Sequence, residues 1–81
     1  MEKVITIKST AGLHAQIAAK MVQTASKYDV DIRLVYANVT IDAKSILGLM
    51  SLAVPAGENV KLIAIGDKAE KAIADIEKIL S

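Results

Sequence analysis

The chain has 81 residues, 53% of them apolar, with 10 Lys+Arg against 9 Asp+Glu, a formal charge of +1, and no cysteine. That suits one domain over residues 1–81 with a modest core built without Phe or Trp, and it excludes disorder, disulfides and thiolate metal sites. Scattered lysines without a polybasic run argue against direct nucleic-acid binding. With no leading apolar segment and no run long enough to span a bilayer, a cytoplasmic location without membrane insertion is expected.

Residues 4–7 read as a strand with Ile5 and Ile7 on one side, and Thr10-Ala11-Gly12 then turns the chain. Residues 15–28 switch to a helical period: Ala18, Val22 and Ala25 share one stripe, with Ile17 and Met21 beside it. Val30, Ile32, Leu34 and Tyr36 alternate with Asp31, Arg33 and Val35, the clearest strand in the chain. Ala37-Asn38 makes a short hairpin connection to a return strand over 39–42. Ser45 is an N-cap candidate for a short helix over 46–52, broken by Pro55-Ala56-Gly57. Residues 60–65 form the most apolar strand, hence a central one. Gly66 ends it, and Asp67 with Glu70 reads as a capping-box-like start. Ala69, Ala72, Ile73, Ile76, Ile79 and Leu80 then form a helical stripe. The order β-α-β-β-α-β-α predicts an α+β fold, four antiparallel strands with three helices on one face.

His14 is the only histidine. It follows Gly12 and stands where a helix begins. A helix start exposes unpaired N–H groups with partial positive charge, a natural place for an anion such as phosphate. Gly12 lets the loop bend close, Gly12 and Ala15 are expected to cradle the phosphate, and an unprotonated imidazole nitrogen can carry a phosphoryl group. On spacing alone, a lone histidine at a helix start is more often a cap or a surface residue. No second histidine or carboxylate cluster points to a metal or a triad, and no glycine-rich phosphate loop is present.

The segments Gly12-Leu13-His14-Ala15, Val22-Gln23-Thr24-Ala25-Ser26-Lys27-Tyr28 and Ala43-Lys44-Ser45-Ile46-Leu47-Gly48-Leu49-Met50-Ser51-Leu52 change the odds. Together they resemble the HPr family, the histidine phosphocarriers of the phosphoenolpyruvate:sugar phosphotransferase system. The resemblance runs end to end, and the last segment is similar to the Gram-positive branch. It implies an open-faced β-sandwich and a phosphoryl relay: Enzyme I loads the histidine on Nδ1, and IIA components accept the group. By position that histidine is His14. The resemblance implies a carrier rather than a turnover enzyme, needing no cofactor. It also implies that Ser45 is a regulatory site for an HPr kinase/phosphorylase, the phosphorylated form serving a catabolite-control transcription factor in catabolite repression. The family's usual Arg-Pro after the histidine is replaced by Gln16-Ile17.

Ile46, Leu47, Leu49, Met50 and Leu52 are too many apolar residues for one side of a short helix. Leu49 and Leu52 are assigned to the core. Leu47 and Met50, with Ile17, Lys20 and Met21, are expected to form a partner-binding surface around His14. Two readings stay open: a working relay, and a regulatory paralog or variant that binds protein partners without relaying, given the missing arginine.

Overall fold

The computed structural model describes residues 1–8, 10 and 12–81. Its elements are β1 (Glu2–Thr6), α1 (Ala15–Ala25), β2 (Asp31–Tyr36), β3 (Val39–Asp42), α2 (Ile46–Leu52), β4 (Asn59–Ile65) and α3 (Ala69–Leu80). The strands form one antiparallel sheet in the order β1-β4-β2-β3. The apolar strand β4 is central, as its composition predicts, with Leu62 opposite Lys3 on one side and Leu34 on the other. Alternate residues of the strands, Ile5, Ile32, Leu34, Val60, Leu62 and Ala64, are buried. They share one core with Ala18, Met21, Ala25, Leu49, Ile73, Ile76 and Leu80 from the helices. The opposite face is open, with Val4 and Ile65 exposed beside the ion pairs Lys61–Glu2 and Arg33–Asp31. Ala37 and Asn38 both adopt positive φ, 51° and 67°, the geometry of a two-residue hairpin turn that follows the strand twist.

Several element ends differ from the sequence pattern. β1 starts at Glu2 and closes at Thr6. Ile7 leaves the ladder but stays buried, exchanging backbone bonds with Gly57 and Glu58 at 2.8 and 2.9 Å. α1 stops at Ala25 rather than Tyr28. After Ser26, the Lys27 and Tyr28 N–H groups bond three residues back, to Thr24 and Ala25 at 3.2 Å, tightening the chain off the helix axis. Tyr28 is then tied down twice. Its hydroxyl donates to Asp75 of α3, and its carbonyl accepts from Lys44 Nζ at 2.9 Å.

The capping box at Asp67 and Glu70 does not form. Lys68 is the N-cap of α3, at φ 65°, with no side-chain cap. The helix begins at Ala69, so Asp67 lies one residue too early to accept from the first turn, and a lysine has no acceptor to offer. Glu70 still sits in that first turn, where the helix dipole favours a carboxylate. Of the predicted turn before His14, Ala11 lies outside the described residues.

Candidate functional site

His14 is the N-cap of α1, in extended backbone at φ −96° and ψ 179°. Its carbonyl accepts from Ala18 N at 2.9 Å, the first bond of the helical ladder. The N–H groups of Ala15, Gln16 and Ile17 therefore precede the ladder. His14 Nδ1 accepts from Gln16 N at 3.2 Å. That bond assigns the lone pair to Nδ1 and the ring proton to Nε2. Nδ1 thus points at the positive end of α1, whose first turn holds no acidic residue.

The loop before His14 is held from behind. Gly12 has φ 73°, and a Cβ there would lie 2.5 Å from the Val54 carbonyl oxygen and 3.0 Å from Ala56 N. Leu13, buried, donates its N–H to that same Val54 oxygen at 2.8 Å. The segment after α2 is thus the floor under the histidine loop. Sequence reasoning does not find this role for Val54, because the contact joins distant parts of the chain and leaves no local pattern.

Around His14, Ala15, Gln16 and Lys20 are exposed and Ile17 is half-buried. Met21, expected on the partner surface, is 0% exposed and belongs to the core. The buried arc of α1 runs through Ala18, Met21 and Ala25, which turns Met21 inward and leaves Val22 at its margin. On α2, Leu47 is 79% and Met50 45% exposed, while Leu49 is buried and Leu52 half-buried, matching the division drawn from the sequence. Ile46 adds to this apolar surface. Ser45 caps α2, its Oγ accepting from Gly48 N at 3.1 Å.

Neither of the two described clefts, about 380 and 430 Å³, is lined by His14. Among the described residues no group of acidic, histidine or cysteine side chains could hold a metal ion, and no helix is long and apolar enough to cross a membrane.

Comparison with known proteins gives one answer. The family described as the PTS HPr component phosphorylation site matches residues 1–81. Phosphocarrier protein HPr of Haloferax volcanii is 42% identical over 83 residues, covering 100% of this chain and 93% of its own. The solved structure of an HPr from Thermoanaerobacter tengcongensis superposes with a TM-score of 0.93 at 46% identity, over 99% of this chain and 90% of that one. An HPr from Bacillus anthracis superposes with a TM-score of 0.95 at 32% identity, over 100% and 96%. A match over the whole chain, a relative this similar and folds this superposable show that the chain belongs to the HPr phosphocarrier family of the phosphotransferase system.

Proposed function

We propose that the chain is a working phosphoryl carrier in sugar uptake, taking its group from Enzyme I and passing it to IIA components in the cytoplasm. The observation that carries this reading is His14 Nδ1, which accepts from the Gln16 N–H at the start of α1. In loading, the Nδ1 lone pair forms an N–P bond while the donor's bond to phosphorus breaks, its electron pair staying with the donor. The proton stays on Nε2. The ring gains a positive charge and the phosphoryl group carries two negative ones. Their oxygens replace Nδ1 as acceptors for the Gln16 N–H and can reach the N–H groups of Ala15 and Ile17, a stronger, charge-assisted arrangement. Delivery to a IIA component reverses these bond changes.

Gln16 offers a neutral donor where the family usually has a guanidinium. The difference between charged and neutral hydrogen bonds, about 1–2 kcal/mol, corresponds to roughly tenfold slower transfer or weaker docking. The exposed Leu47 and Met50 would supply apolar contact for both partners. Incubation with Enzyme I and phosphoenolpyruvate should give one acid-labile phosphate adduct by intact mass. An adduct that survives in His14→Ala, or none in the parent, sinks the reading.

A second reading, a regulatory paralog, is favoured by Ser45. Its half-buried hydroxyl caps α2 directly beside the exposed Leu47 and Met50. A phosphate there adds about −1.5 to −2 charge next to that surface and would alter which partner docks, including a transcription factor. HPr kinase with ATP should then yield an acid-stable adduct that Ser45→Ala abolishes.

A further inference from the structure

On the carrier reading above, His14 receives a dianionic group, and the residues of the first turn of α1, Ala15, Gln16 and Ile17, bring no charge to meet it. Over its whole length, Ala15–Ala25, α1 carries a single charged side chain, Lys20. Lys20 is exposed and makes no ion pair or side-chain hydrogen bond among the described residues. Other cations are engaged elsewhere: Lys3 with Glu77, Arg33 with Asp31, Lys61 with Glu2, and Lys44 with the Tyr28 carbonyl. Lys27 lies beyond the far end of α1, lining a cleft with Lys68 and Lys71.

Lys20 stands four residues after Gln16, and such residues are neighbours on one face of a helix, with Cβ atoms about 5–6 Å apart. Both are exposed, on the side of α1 away from the buried arc of Ala18, Met21 and Ala25. Helical side chains lean toward the N-terminus. The rise from residue 16 to residue 20 is about 6 Å, within the span of a lysine stem. Extended that way, the ammonium comes level with the Gln16 backbone N–H, the group already 3.2 Å from His14 Nδ1.

We propose that Lys20 is the cation that pairs with the phosphoryl group on His14, delivering from one turn along α1 the charge that Gln16 lacks. The pairing exists only in the loaded protein, because the empty site presents no anion. Lys20 therefore acts on the stability of the phosphohistidine and on the transfer equilibrium, not on the fold.

The test uses the full chain loaded by Enzyme I and phosphoenolpyruvate, with Lys20→Gln and Lys20→Arg beside the parent. Phosphorus NMR titration should show the loaded ring of Lys20→Gln losing its Nε2 proton at higher pH, by about half a unit, with loading at equilibrium roughly threefold less favourable. Lys20→Arg should follow the parent, and 1 M salt should erase the difference. Superimposable titration curves for the parent and Lys20→Gln overturn the assignment. So does a variant that loads more slowly with an unmoved titration, since Lys20 would then serve only in docking Enzyme I. If the parent itself does not load, the carrier reading falls first and this one with it.

Discussion

A methyl group at position 12 would collide with the Val54 carbonyl oxygen and would also sit on a backbone at positive φ. Gly12→Ala should therefore cost about 1–3 kcal/mol in strain alone, read as a lower denaturation midpoint with an unchanged slope. It should also slow loading, because the loop that aims His14 must move. A variant with parental stability and loading would show that the loop relaxes freely. The residue types here were legible from the chain: a glycine, a lone histidine and a helix start. The reason for the glycine was not, because Val54 and Ala56 reach it through the tertiary fold. Met21 was misassigned for a related reason. Helical period gives a residue's angular place, but the width of the buried arc depends on what packs against the helix.

Among the elements, α2 is the shortest helix and depends most on its ends. Ser45 supplies its first-turn acceptor and Ala53, at φ 48°, ends it. Ser45→Ala should destabilise the protein by about 1 kcal/mol, checked by chemical denaturation, whether or not the serine is ever phosphorylated. No measurable change would mean that packing of Leu49 alone holds the helix. Strand and helix identities followed from periods of two and of 3.6, and every element was found in order. Helix ends were less legible. α1 loses three residues to the turn that places Tyr28, and α3 starts one residue later than a capping box at Asp67 requires. Both depend on partners outside the local window.

For the molecule as a whole, Tyr28 ties the end of α1 to α3 through Asp75. The hydrogen bond to Asp75, then burial and the carboxylate charge, raise the Tyr28 pKa above its ordinary value. Tyr36 is raised in the same way by Glu58. Because the folded value exceeds the unfolded one, the contribution is full below about pH 10 and fades as pH rises through the raised value. Urea denaturation across that range should show stability falling less steeply in Tyr28→Phe than in the parent. Equal slopes would remove the tie from the account.

At the other end of α1, one nitrogen holds two offices. His14 Nδ1 accepts from the first turn in the empty protein, and on the carrier reading proposed above it would surrender that post to phosphoryl oxygens in the loaded one. Linkage is reciprocal, so whatever the helix start contributes to gripping the cargo, the cargo returns as order in the first turn. A grip that tight also lowers the tendency to let go. On the same reading the neutral Gln16 loosens that hold, so it slows loading while it eases release. Cargo, helix and willingness to release are set against one another at a single ring atom.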